Sequence, residues 1–315
     1  MNKIALITGA TGFVGAHLAD YLLDIIGLEV HGTKRPRSRL EFFKSNVIYH
    51  EVDMMDYTGI SSIIKEVKPD YIFHLAAQSF VLLSWKSPQS TLMNNIIGNL
   101  NILEAVKNEH PEAIIQVAGS SEEYGQVLPD EIPIKESTPL FPVSPYGVSK
   151  VCQDLLSRQY FKSYGVKAVV TRAFNHTGPG RGEVFATSSF AKQIAQIEKG
   201  KEPIIHVGNL EAIRDFTDVR DTVRAYWLAA NKCDYGDVYN ICTGNGWTMS
   251  KMLEVLLSHS DVEICVQQDK DRMRPSDLPV LIGDAGKFIK QTGWKPEIPF
   301  DQTMNDLLNY WRERV

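Results

Sequence analysis

An apolar run over residues 3–8 leads directly into Gly9-Ala10-Thr11-Gly12-Phe13-Val14-Gly15, after which Phe13, Val14, Leu18, Leu22, Leu23 and Ile26 recur at helical spacing. Strand, glycine loop and helix in that order leave few folds open. Glycines 9, 12 and 15 let the backbone turn tightly and approach a pyrophosphate, while the helix N-terminus offers free N–H groups and the positive end of its dipole. A glycine triplet alone marks only a turn. The flanking strand and helix make it a dinucleotide-binding loop. The G-x-x-G-x-x-G spacing is one residue longer than the common dehydrogenase form and names no family by itself.

The alternation continues. Apolar runs at 29–33, 47–52, 71–75, 113–118 and 166–172 are separated by helical patterns near 57–67, 89–108 and 146–164. This predicts an α/β fold with a doubly wound parallel sheet. Beyond Arg172 the pattern becomes irregular: a loop at 175–182, then helices near 188–199, 219–230 and 250–259. The short elements and polar loops of this half suit a smaller lobe capping the carboxyl ends of the strands. The expected division is a dinucleotide-binding part at 1–173 and 213–242 and a substrate lobe at 174–212 and 243–315.

Composition narrows the function classes. With 315 residues, 43% hydrophobic and 23% charged, the chain reads as an ordinary globular protein without repeats or disordered tracts. Neither a signal peptide nor a membrane span is legible, so the cytoplasm is the expected compartment. Cys152, Cys233, Cys242 and Cys265 are far apart and form no Cys-x-x-Cys, which predicts reduced thiols and no structural zinc. A net charge of −5 gives no basic face for nucleic acid.

Tyr146 and Lys150 stand four apart just after Pro145, so in a helix beginning there both project from one face. At ~4 Å and an effective dielectric of ~20, phenolate and ammonium attract by about 4 kcal/mol. That lowers a phenol pKa of ~10 by up to roughly three units, and such a tyrosine can serve as a general acid or base. After the second strand the chain reads Thr33-Lys34-Arg35, with no carboxylate to hold both ribose hydroxyls of NAD. Bases that can pair with a 2′-phosphate favour NADP, with NAD possible. Arg37 and Arg39 read as solvated charges.

Taken together, Thr8-Gly9-Ala10-Thr11-Gly12-Phe13-Val14-Gly15, Asp53, His74-Leu75-Ala76-Ala77, Asn95, Ser120 four before Tyr124, and Tyr146/Lys150 resemble the extended short-chain dehydrogenase/reductases that act on nucleotide sugars. The resemblance spans essentially the whole chain. It implies that Ser120 hydrogen-bonds the substrate, Tyr146 donates or accepts the proton, and Lys150 holds the ribose. It further implies dinucleotide contacts from Gly9, Gly12, Phe13, Val14, Gly15, Asp53, Met54, Leu75, Ala76, Ala77 and Asn95. A homodimer through the helices near 89–108 and 146–164 is also implied.

Phe174-Asn175-His176-Thr177-Gly178-Pro179-Gly180, the segment 208–219 and Arg274-Pro275-Ser276-Asp277-Leu278-Pro279 are similar to the GDP-mannose branch, which holds 4,6-dehydratases and 4-keto-6-deoxy-mannose reductases. In that branch Arg214 and Arg274 would chelate the diphosphate, Asn175 would orient it, and Asp277 would accept from ribose hydroxyls. Ser79, Ser121, Arg181, Lys192 and Asn209 complete the expected substrate contacts. A dehydratase would use Glu122 to remove the C5 proton and expel the C6 hydroxyl. Ser120 and Phe216, where dehydratases usually carry threonine and tryptophan, lean toward a reductase forming GDP-rhamnose; Ala77-Gln78-Ser79 and Arg181-Gly182-Glu183 lean back. A non-enzymatic NADP-binding scaffold of the same fold is the third reading.

Overall fold

Short runs rich in valine and isoleucine form a sheet buried on both faces, as a parallel sheet requires. The computed structural model describes residues 3–36, 44–269, 272–273 and 278–315. Its strands are β1 (Ile4–Thr8), β2 (Glu29–Lys34), β3 (Ile48–Glu51), β4 (Tyr71–His74), β5 (Ile114–Ala118), β6 (Ala168–Ala173), β7 (Asn175–Thr177), β8 (Ile204–Val207), β9 (Ile213–Asp218), β10 (Val238–Ile241), β11 (Gly246–Thr248), β12 (Cys265–Gln268) and β13 (Val280–Leu281). Seven of them form one sheet in the order β10-β6-β5-β4-β1-β2-β3, every pairing parallel. The winding reverses between β1 and β4, where a doubly wound sheet opens a crevice at its carboxyl ends.

Strand alternation sorts side chains into two cores. Ala5, Ile7 and Phe73 face one side with Leu18, Leu22, Tyr226 and Trp294. Leu6 and Ile72 face the other with Ile102, Val106, Ile115 and Val170. A third core, built from Phe190, Ile194, Ile205, Phe216, Met252, Leu256, Met304 and Leu307, holds the smaller lobe together. Around it β9 pairs with β7, β11 and β13, and β8 pairs with β12.

The helices begin where their caps dictate. Ser144 accepts from Gly147 N and precedes Pro145 at the first turn of the Pro145–Tyr164 helix, which stops at Gly165 in the left-handed region. Asp56 and Thr248 cap Tyr57–Val67 and Met249–Ser258 in the same way. The helix expected over 89–108 is instead Pro88–Leu92, a π-helical turn at Met93–Ile97, and Gly98–Glu109. Strand β10, the short strands β7–β9 and β11–β13, and the helices Val81–Lys86, Gly286–Thr292 and Phe300–Arg312 have no counterpart among the sequence expectations.

Candidate active site

A cleft of about 1210 Å³ runs along the carboxyl ends of the sheet, from the glycine loop to the C-terminal helix. Gly9 has a φ of +71°, and a Cβ on Gly15 would stand 2.4 Å from the Gly9 carbonyl oxygen, so only glycine lets the loop fold onto its helix. The loop is braced from below. Thr8 Oγ1 accepts from the N–H groups of Leu75 and Ala76, each at 3.1 Å, and meets His74 Nδ1 at 2.9 Å. The cradle therefore fits a dinucleotide pyrophosphate.

Phe13, Val14, Gly12, Thr33, Lys34, Arg35, Asp53, Met54, Leu75, Ala76 and Ala77 all line the cleft, as do Gly9 and Gly15. Asn95 does not. Its amide donates to the Gln78 carbonyl and Ser149 Oγ and accepts from Gln78 N, so it is a buried brace beneath the cleft rather than a wall residue. At the basic end, Thr33 Oγ1 accepts from Gly9 N at 3.2 Å and Lys34 pairs with Glu51 at 2.6 Å. The threonine hydroxyl is engaged by the loop itself, and Arg35 is exposed at the rim.

Ser120, Glu122, Tyr146 and Lys150 come together on the opposite wall. Ser120 caps the short turn Ser121–Glu123 and is 8% exposed, as is Tyr146. The phenol is not acidified as the Tyr-x-x-x-Lys spacing predicts. Burial pushes its pKa well above the ordinary value, a hydrogen bond with Ser120 opposes this, and the Glu122 and Glu123 carboxylates add to it. Lys150 donates to the Ala118 carbonyl oxygen at 2.7 Å, and burial draws its ammonium down to about 8.

Farther along, Ser79, Ser121, Asn175, Arg181 and Lys192 line the cleft. The Arg181 guanidinium lies 3.4 Å over the Phe185 ring and 5.2 Å from that of Phe13, an arrangement that holds a cation by its ring faces. Lys192 pairs with Glu183 and sits over Trp311. Arg214 and Asn209 lie outside the lining: Arg214 is buried on β9 and donates to the Ile213 carbonyl, and Asn209 accepts from Glu211 N. Arg274 and Asp277, with Arg37 and Arg39, fall outside the described residues. Phe80, Phe185, Tyr226, Tyr310, Trp311 and Arg314 also line the cleft, without any motif to announce them.

This parallel sheet, glycine cradle and Ser120-Tyr146-Lys150 wall define an extended short-chain dehydrogenase/reductase. Residues 6–307 match the GDP-mannose 4,6 dehydratase family, and the chain belongs to that family. It is 33% identical over 316 residues to the GDP-6-deoxy-D-mannose reductase of Pseudomonas aeruginosa, covering 100% of this chain and 99% of that one. It is also 33% identical over 350 residues to the GDP-mannose 4,6-dehydratase of Yersinia enterocolitica, covering 97% and 93%. Among solved structures, RMD from Pseudomonas aeruginosa complexed with NADPH superposes with a TM-score of 0.87 at 31% identity, covering 99% and 100%. The UDP-glucose 4-epimerase of Thermus thermophilus with NAD superposes at 0.89 and 28%, covering 99% and 100%. Among the described residues no helix is long and apolar enough to cross a membrane, and no cluster of His, Cys, Asp or Glu has the arrangement of a metal site.

Proposed function

We propose that this protein is an NADPH-dependent 4-ketoreductase that converts GDP-4-keto-6-deoxy-D-mannose to GDP-D-rhamnose. The observation that carries this reading is that Ser120, Tyr146 and Lys150 line the same cleft as the glycine cradle, so a proton donor and a nicotinamide can meet one sugar carbon. The full-length alignment with a GDP-6-deoxy-D-mannose reductase also supports it.

In this reading the Ser120 hydroxyl bonds the keto oxygen, and Tyr146 protonates the alkoxide as it develops. NADPH, seated on the glycine cradle, supplies the hydride. Lys150 holds the nicotinamide ribose, and Arg181 and Lys192 meet the diphosphate with Asn175. Arg274 and Asp277 are assigned to the same ligand by resemblance, whereas Arg214 and Asn209, outside the cleft lining, are not carried over. We assign residues 1–173 and 219–242, with Phe288 and Trp294 packed in the same core, to the dinucleotide-binding part and 174–218 with most of 243–315 to the sugar-nucleotide lobe, which moves the expected boundary at 213 to the end of β9.

Glu122 on the cleft wall favours a second reading, a 4,6-dehydratase using this carboxylate as its base. Purified protein mixed with NADPH and the 4-keto sugar decides between them. Loss of the reduced-nicotinamide absorbance is expected. No loss from folded, cofactor-binding protein would transfer the assignment to the dehydratase, with GDP-mannose and NADP as the next pair to test.

We further infer a cytoplasmic homodimer. Met93, at 47% exposure, and Val148 and Leu155, at 41% and 52% and seven apart on the Pro145–Tyr164 helix, supply an apolar face for self-association. Sedimentation at dimer mass, reduced to monomer by Leu155→Lys, is the expected result.

A further inference from the structure

We propose that Glu123 is a positioning residue of the active site, holding Ser120 in place through its carboxylate and joining it, through Arg172, to the helix that carries Tyr146 and Lys150. The proposal rests on the reading above that Ser120 contacts the reacting sugar.

The geometry is a closed chain of buried contacts. Glu123 Oε1 accepts from the Ser120 backbone N–H at 2.7 Å. Its Oε2 accepts from Arg172 Nε at 3.1 Å. Arg172, on β6, donates through Nη2 and Nε to Asp154 Oδ2 at 2.6 and 2.9 Å. Asp154 lies four residues beyond Lys150 and eight beyond Tyr146, close to the same face of their helix. A third arm fixes the guanidinium: Arg172 Nη1 donates to the Tyr124 hydroxyl at 3.0 Å, which donates to Asn240 Oδ1 on β10 at 2.6 Å. Glu123 and Asp154 are fully buried and Arg172 is 2% exposed.

Packing alone does not call for a carboxylate at this position. Two carboxylates converge on one buried guanidinium, and Arg158 Nη1 approaches Asp154 Oδ1 at 3.5 Å from the same helix. Burial and the neighbouring Asp154 push the Glu123 carboxyl up to about 8. The backbone is shaped for the same contact, since a Cβ on Gly119 would lie 2.6 Å from Glu123 Oε1. An apolar residue at 123 would leave Arg172 neutralised by Asp154 and the fold intact, but the Ser120 amide would lose its acceptor.

The test compares Glu123→Leu and Glu123→Gln with Ser120→Ala, alone and combined. Glutamine can still accept from Ser120 N–H through its carbonyl oxygen while giving up the bond from Arg172 Nε, which keeps its two bonds to Asp154. Glu123→Leu is expected to lower kcat about 10²-fold with NADPH affinity unchanged, and Glu123→Gln to restore most of it. In a Ser120→Ala background Glu123→Leu should cost almost nothing more. Amide hydrogen exchange of the segment 119–125 should accelerate in Glu123→Leu while the sheet stays protected. Unchanged exchange, or a loss that simply adds to that of Ser120→Ala, would overturn the proposal. Wild-type protein inert toward the 4-keto sugar would instead overturn the ketoreductase reading; the exchange result still decides the clamp, and the cycle is then read on GDP-mannose dehydration.

Discussion

Lys150 donates to the Ala118 carbonyl oxygen at 2.7 Å while standing 5.8 Å from the centre of the Tyr146 ring. Its charge is anchored to the end of β5 and not to the phenol, so desolvation governs both groups. At pH 7 the phenol carries its proton and the lysine its charge. Because the Lys150 ammonium titrates at about 8, kcat/KM for NADPH, which reports ionisations of the free enzyme, is expected to fall above that pH. Lys150→Arg, whose guanidinium does not titrate, should carry the plateau to more alkaline pH at reduced height. A wild-type profile flat well beyond that point would contradict the assignment.

Removing the Tyr146 hydroxyl takes away the proton donor without touching the glycine cradle. Tyr146→Phe is expected to lower kcat by roughly 10²- to 10⁴-fold, with NADPH affinity nearly unchanged by fluorescence titration. Retention of most activity would rule out Tyr146 as the acid.

The basic rim sets the cofactor preference through fewer groups than its sequence offers. Thr33 is held by Gly9 N and Lys34 pairs with Glu51, and Arg35, exposed where it lines the cleft, is placed to meet a 2′-phosphate. Arg35→Ala is expected to weaken NADPH by about 10- to 100-fold, the worth of one charged hydrogen bond, and to leave NADH untouched. Equal losses for both nucleotides would place the contact elsewhere.

Two buried histidines make the fold acid-sensitive. Thr8 Oγ1 accepts two N–H groups and so donates its own proton to His74 Nδ1, which requires the ring neutral. Burial holds His74 and His176 down to about 3. The unfolded chain takes up these protons near 6.5, so stability present above that pH is lost as the pH falls toward 3. Each ring should cost roughly 2 kcal/mol by about pH 5. Urea unfolding at the two pH values should show this drop, and His74→Asn should reduce it.

What the sequence discloses here is local. The glycine loop, the helix start at Pro145 and the period of the strands depend on neighbours in the chain, and Ser120, Tyr146 and Lys150 line one cleft as their motifs imply. Residues delivered by docking are silent. Met304, Leu307 and Leu308 have helical spacing, but that Tyr310, Trp311 and Arg314 reach the cleft follows from packing of the Phe300–Arg312 helix on Ala186–Glu198. Phe185 looks like a core aromatic until the fold turns it to the site, and Tyr226 serves as both, packed in the core and lining the cleft. Asn95 errs the other way: a polar residue in a binding-site pattern proves to be a buried brace.

Glu122 separates the two chemistries open to this cleft. Its backbone N–H is bonded to Ser120 Oγ, and Glu122→Gln keeps that bond and the side chain's size, so the local structure should be preserved. A ketoreductase takes its proton from Tyr146 and needs no second base, and loss of the Glu122 charge removes one of the influences that raise the phenol. Glu122→Gln is therefore expected to retain ketoreductase turnover to within a few-fold. A dehydratase must remove the C5 proton with this carboxylate, and loss of a general base costs about 10²- to 10⁴-fold. Parallel assays of the variant, NADPH oxidation by the 4-keto sugar and conversion of GDP-mannose, read the difference directly; collapse of the first would refute the ketoreductase mechanism drawn for this site.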